Sequence, residues 1–179
     1  CDDSARVSWA LSTILRISSV LEAVVDIFGR LAAWTCVALV LLVAGNVLAR
    51  YFFHTGTIWL QELEWHLISP IALLGMSYSL LRGDQVRVDF LFENLPGPVR
   101  AGIEIFTGFL LIIFSVAIIK LSIPFVYQAY RVGEGSPNPG GLGYRFILKS
   151  FIPLGFGLLA IQAACHMLRH SIILYSGRS

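Results

Sequence analysis

Charge is the scarcest ingredient of this sequence. Only 13% of its 179 residues are Asp, Glu, Lys or Arg, about half the share usual in a soluble domain. So few charges cannot hydrate a folded surface of this size, which excludes an ordinary water-soluble domain. With 56% hydrophobic residues and a mean hydropathy of +0.76, the solvent of this chain is mostly lipid. A formal net charge of +2 is too small to point to nucleic acid. Cysteine is scarce too: Cys1, Cys36 and Cys165 form no CxxC and no metal-binding spacing. Cys36 and Cys165 fall inside apolar runs and read as small buried apolar residues. Cys1 stands where a Met would begin a gene product, so it reads as a processed terminus or as numbering that starts inside one. A lipidated Cys1 would set the N-terminus outside the cytoplasm, against the charge pattern below.

What is present is four long uncharged runs: Leu31–Ala49, Trp65–Leu81, Ile105–Ile119 and Ser150–Met167. At about 1.5 Å per residue, a helix of roughly 20 such residues crosses a hydrocarbon core of about 30 Å. We therefore expect an all-α integral membrane protein with four transmembrane helices, spans about 30–53, 60–81, 103–130 and 149–169. The third continues past Lys120, with a kink expected at Pro124. Residues 1–28 form a separate unit in this reading. Val7, Leu11, Ile14, Leu21, Val25 and Phe28 recur at spacings of three and four, interrupted at Ser18, while Arg16, Glu22 and Asp26 lie off the stripe. This pattern predicts an N-terminal amphipathic helix lying in the membrane interface; its bland alternative is an ordinary packed helix. The four-helix domain then occupies 29–179.

Basic residues set the orientation. With four spans, both termini and the 82–100 loop share one side, which holds Arg6, Arg16, Arg30, Arg82, Arg87, Arg100, Arg169 and Arg178. The other side holds Arg50, Arg131, Arg145 and Lys149. Eight against four predicts both termini in the cytoplasm. The Arg50–Glu62 turn and the Gly/Pro-rich stretch 133–143 then face outward.

The chemistry-bearing residues are few. Glu62 and Glu64 sit at a membrane boundary between Trp59 and Trp65, where hydrated carboxylates and aromatic anchors are expected. A proton or ion pathway needs acidic groups deeper in the bilayer, and the four runs contain none. Broken helices in duplicated halves, the usual basis of a complete transporter's site, are not evident. Haem held between paired histidines fails on geometry. His66 lies near the outer start of the second span and His166 near the inner end of the fourth, a difference in depth of roughly 16 Å. No CxxCH is present. No cofactor, metal or catalytic residue is expected.

Three stretches carry a resemblance. Trp59-Leu60-Gln61-Glu62 opens the second span. The run from Gly75 to Asp89, GMSYSLLRGDQVRVD, joins a Gly/Ser/Tyr helix end to Arg82-Gly83 and a short Val-Arg-Val-Asp segment. The run from Glu134 to Leu142, EGSPNPGGL, is followed by Arg145, Lys149, Ile152-Pro153, Gly155-Phe156 and Gln162. In order and spacing these resemble the small membrane subunit of tripartite ATP-independent periplasmic (TRAP) transporters, the DctQ-like family. Two positions depart from that pattern: Gln85 stands where His is common, and Gly143 where Pro often follows Gly-Gly-Leu.

The resemblance implies an accessory or scaffold subunit. It would pack beside a large sodium-coupled permease subunit that takes up a carboxylate-type solute delivered by a periplasmic solute-binding protein. The partners implied are that permease, that binding protein and membrane lipid. Candidate interface or anchoring residues are Trp59, Glu62, Trp65, Arg82, Arg87, Asp89, Asn138, Gly155 and Gly157. Each also has a plain reading: Arg82, Arg87 and Asp89 as a helix-end anchor, the loop around Asn138 as turn chemistry, and Gly155 and Gly157 as sites of close helix contact. Two rival functions stay open, a membrane anchor of a redox enzyme and a structural subunit of an unrelated membrane assembly.

Overall fold

The computed structural model describes residues 2–54, 58–84, 95–139 and 141–176, with side chains described between Arg16 and Ser171. Four helices account for nearly all of them: α1 Asp2–Phe53, α2 Ile58–Arg82, α3 Gly97–Val132 and α4 Arg145–Ser176. Among the described residues there is no strand. Each of the four expected spans lies inside one helix. Among the described residues three helices are long and apolar enough to cross a membrane, over Arg16–Phe53, Gly97–Val132 and Arg145–Ser171. α2 has no stretch as apolar as these, its sequence being interrupted by Glu62, Glu64, His66, Ser69, Ser77, Tyr78 and Ser79.

α1 is one uninterrupted helix. The amphipathic segment and the first apolar run are continuous, because nothing between Asp2 and Phe53 stops a helix: the chain's first proline is Pro70. Arg30 marks a change in polarity, which the backbone hydrogen-bond ladder does not register. From residue 18 onward the amphipathic stripe faces protein. Ser18 is 2% exposed and Val25 fully buried, and Val25 joins Ala32, Leu74 and Leu158 in a cluster completed by Phe28, Leu81 and Phe151. The side chains of Val7, Leu11 and Ile14 lie outside the described residues.

The helices pair in the spatial order α1, α2, α4, α3, with α1 also touching α4. α2 and α4 are therefore central and α1 and α3 flank them. α2 has neighbours on both sides, and its buried residues Pro70, Leu74, Ser77 and Leu80 recur at spacings of three and four. A second cluster joins Leu80 of α2 to Leu159 and Ala163 of α4, with Leu111 and Ile112 of α3 against it. Lipid supplies no hydrophobic drive between helices, so contact depends on close packing by small residues. α3 packs chiefly on α4, its Gly108 lying against Met167 and Ala163, and it buries Ala101, Gly108, Ser115, Ser122 and Ala129. These buried small residues stand every seventh position, the repeat that keeps one seam facing a neighbouring helix. α4 approaches α2 at Gly155, where an added Cβ would lie 2.8 Å from both the Cβ and the backbone oxygen of Leu73. α3 continues through Pro124 as one helix.

Candidate functional site

α3 ends at Gly133, whose left-handed φ of 60° only glycine adopts at little cost. The Glu134 N–H then donates to the Ala129 carbonyl at 3.0 Å, the closure typical of a helix ended this way. The chain next folds into a compact loop. The Arg145 N–H donates to the Glu134 carbonyl at 3.2 Å and pinches its base, and the Ser136 N–H donates to the Leu142 carbonyl at 3.1 Å. Inside, the Gly141 N–H donates to the Asn138 carbonyl at 3.0 Å, and the Asn138 N–H donates to Ser136 Oγ at 3.1 Å.

The mouth of this loop closes on Glu62 of α2. Ser136 Oγ donates to Glu62 Oε1, Asn138 Nδ2 donates to the same oxygen at 3.1 Å, and the Leu142 N–H donates to Oε2 at 2.7 Å. An ionised carboxylate is an acceptor on both oxygens, and hydrogen bonds to it are stronger than neutral ones. Glu62 thus clasps a loop 74 to 80 residues further along the chain. At Gly141 an added Cβ would crowd Ser136 Oγ and lie 2.6 Å from Glu62 Oε2, so any larger residue would push the side chains of the clasp aside. Glu62 is itself seated by His66, whose Nδ1–H donates to the Glu62 carbonyl at 2.8 Å. At the base of the loop Lys149 pairs with Glu134 and lies 3.9 Å from the centre of the Phe125 ring. A cleft of about 550 Å³ opens beside the clasp, lined by Glu62, Trp65, His66, Asn138, Arg145 and Lys149 among others. Two residues further along α2, Glu64 Oε1 accepts from Nδ2 of Asn46 of α1 at 2.9 Å, so both carboxylates of the Glu62/Glu64 pair tie α2 to another part of the chain.

The opposite end of the helices is fastened by ion pairs. Asp26 of α1 accepts from Arg82 Nη2 at 2.7 Å and from Arg30 Nε at 2.8 Å, and Arg82 lies 5.1 Å from the centre of the Tyr78 ring. Glu22 pairs with Arg169 of α4. At this end too, Glu104 of α3 lies 3.8 Å from His166 Nδ1 of α4.

The residues singled out from sequence thus separate. Glu62 and Asn138 meet in the clasp, and Arg82 joins the ion pairs at the other end. Trp59 and Trp65 are exposed, at 45% and 69%, on the α2 end that carries the clasp. The close approach at Gly155 is to α2 of the same chain, whereas the Cβ position of Gly157 has open space. Arg87 and Asp89 lie outside the described residues. Sequence reading passed over Ser136 and Leu142 as donors to Glu62, over Gly141 as the point of close approach beside them, and over Asp26 as the partner of Arg82. The doublet Gly140-Gly141 after Asn138 was a signal of a tight loop, but nothing local says which carboxylate the loop would close on.

A family model for tripartite ATP-independent periplasmic transporters, DctQ component, matches residues 39–171 of this chain. Over 153 residues the chain is 26% identical to the ectoine TRAP transporter small permease protein TeaB of Halomonas elongata, a match covering 85% of this chain and 75% of that protein. Over 82 residues it is 27% identical to the sialic acid TRAP transporter permease protein SiaT of Haemophilus influenzae, covering 46% of this chain and 13% of that longer one.

Proposed function

This chain belongs to the DctQ component family of the tripartite ATP-independent periplasmic transporters, and from that premise we propose how it serves as the small subunit beside the large permease. The family is one of transporter subunits rather than enzymes, and the chain is a membrane protein. In the SiaT relative, a stretch similar to this chain lies within a much longer permease polypeptide, which supports a direct partnership between the two kinds of subunit.

The proposed role is a scaffold. One observation carries it: in the most apolar windows of α1 and α3, only 11% of residues are buried within the chain. Two flanking helices with their apolar sides turned outward, joined by a rigid centre, suit a body that offers one flank to a partner and the other to lipid. α2 completes four spans, its greater polarity sheltered between α1 and α4. Residues 1–28 brace the chain at the cytoplasmic interface, fixed by Glu22–Arg169 and Asp26–Arg82. Both termini are cytoplasmic in an inner membrane, and Trp59 and Trp65 set the depth of the other end. There the clasped loop presents Pro137, Asn138 and Pro139 to the periplasmic solute-binding protein. Gly157 offers a close-contact point to the permease, and Arg82, Arg87 and Asp89 anchor the cytoplasmic end of α2. The chain itself holds no catalytic residue and no complete substrate site. The relatives are named for ectoine and sialic acid, both carboxylate-bearing solutes, which supports a carboxylate-type solute driven by a sodium gradient.

Reconstitution tests this reading. The chain, its large permease and the binding protein are placed in proteoliposomes with an inward sodium gradient. Uptake is expected with all three, none with this chain alone, and a sharp loss when this chain is left out. Solute accumulation by the chain alone, or full uptake without it, overturns the proposal. A periplasmically accessible tag after Ser179 overturns the orientation.

A further inference from the structure

We propose that Glu104, His166 and His170 form a zinc site that ties α3 to α4 at the end carrying the Glu22–Arg169 pair. The inference stands apart from the transport reading and uses none of the residues of the clasp.

Three observations carry it. First, one ligand atom from each of the three residues lies within 4.8 Å of those of the other two. In a tetrahedral zinc site with bonds of about 2.0–2.2 Å, neighbouring ligand atoms stand about 3.3 Å apart, so side-chain rotation of about 1.5 Å closes the set around one ion. Second, His166 and His170 are four residues apart on α4, which places both imidazoles on one face; their ring centres are 4.5 Å apart. Third, the carboxylate comes from a different helix and is buried: Glu104 is 6% exposed, between Ala101 and Gly108 of the buried small-residue seam of α3.

The donor set selects the metal. Two imidazole nitrogens and one carboxylate oxygen suit zinc and its first-row neighbours, whereas magnesium and calcium prefer oxygen alone. Three protein ligands leave a fourth position for water. The ion needs neutral imidazoles and an ionised Glu104, so binding weakens as the medium is acidified. Its effect is structural: α3 touches little of the chain besides α4, and the ion adds a bond between them at the end where α4 also meets α1.

The test uses the full chain in detergent, purified through a tag without histidine and stripped with a chelator. Titration with zinc alone, followed by calorimetry and by elemental analysis after dialysis, is expected to give one zinc per chain, with magnesium giving none. Cobalt in its place is expected to show visible d–d absorption from a nitrogen- and oxygen-ligated ion. Glu104→Gln and His170→Ala should each weaken zinc by at least about tenfold, since even the groups that merely orient metal ligands are worth that much. His54→Ala, at the far end, should not. His170→Cys replaces one zinc ligand with another, so it should keep the ion and add a thiolate-to-cobalt charge-transfer band, a readout that misfolding cannot produce. No stoichiometric zinc binding in the parent chain, or binding that survives Glu104→Gln and His170→Ala unchanged, overturns the site.

Discussion

Two glycines two residues apart on α4 offer a controlled perturbation of the helix packing. At Gly155 an added Cβ would stand 2.8 Å from Leu73 Cβ, 2.8 Å from the Leu73 oxygen and 3.0 Å from its carbonyl carbon. Ordinary carbon contacts lie at about 3.5–4.0 Å. Two of these three atoms are backbone of α2, so no rotamer change can relieve them and the helices must separate. Overpacking costs about 1–3 kcal/mol, and a clash with backbone falls in the upper part of that range, about 2–3 kcal/mol, offset by about 0.5–1 kcal/mol for replacing a helix glycine with alanine. The Gly155→Ala chain should therefore be destabilised by about 1–2 kcal/mol. At Gly157 nothing lies within 4 Å of the same position, so Gly157→Ala should be neutral or slightly stabilising. For a chain of this size about 2–4 °C accompanies each kcal/mol. Thermal unfolding in detergent, followed by circular dichroism at one scan rate, should show Tm lower by roughly 2–8 °C for Gly155→Ala only. An unchanged Tm for Gly155→Ala, or an equal fall for Gly157→Ala, would refute the assigned α2–α4 contact. If Gly157 instead meets the permease, Gly157→Leu should lower the yield of the two-subunit complex without lowering the Tm of the isolated chain.

The clasp and the ion pairs give further tests. Glu62→Ala removes the acceptor of the Leu142 N–H, so amide exchange at Leu142 should accelerate, while exchange in α1 stays as it was; an unchanged Leu142 would show that the loop holds its shape without Glu62. Gly141→Ala should open the clasp by the same measure and Gly143→Ala should not, since only the first position is blocked. Glu22→Arg and Arg169→Glu should each loosen α1 from α4, seen as faster exchange in residues 18–28, and the double reversal should restore protection; additive damage in the double variant would deny the pairing.

The apolar runs were legible because hydropathy is a local property and a membrane span demands about twenty residues of it. Pairing was not legible, since it depends on contacts between distant segments: Glu62 finds its partners 74 to 80 residues away, and Glu22 finds Arg169 after 147. One seam could have been read. Ala101, Gly108, Ser115, Ser122 and Ala129 stand at strict seven-residue intervals in the sequence, and their smallness marks the face of α3 that meets α4. The small residues of α4 drew notice instead, and of these Gly155 does meet a neighbour while Gly157 does not. Arg30 separates two polarities inside one helix. Glu104 and the pair His166 and His170 were visible as residues, but the meeting of α3 and α4 is what makes them neighbours.

The distribution of polar contacts bears on what kind of subunit this is. At one end Glu62 holds the 134–145 loop to α2, and Glu64 holds α1 through Asn46. At the other end Asp26 holds Arg82, and Glu22 holds Arg169. Between these ends the four uncharged runs carry no ionised side chain. α1, α2 and α4 are thus pinned at both ends, and sliding one past another would require charged groups to be parted at the membrane boundary, where leaving them unpaired is costly. Alternating access needs the reverse: at least one packed surface that shifts, around a site placed near the midplane. A set of helices pinned in this way is a poor moving part and a good fixed one. The apolar flanks of α1 and α3, which these contacts leave uncovered, are then the surfaces against which a mobile partner can work.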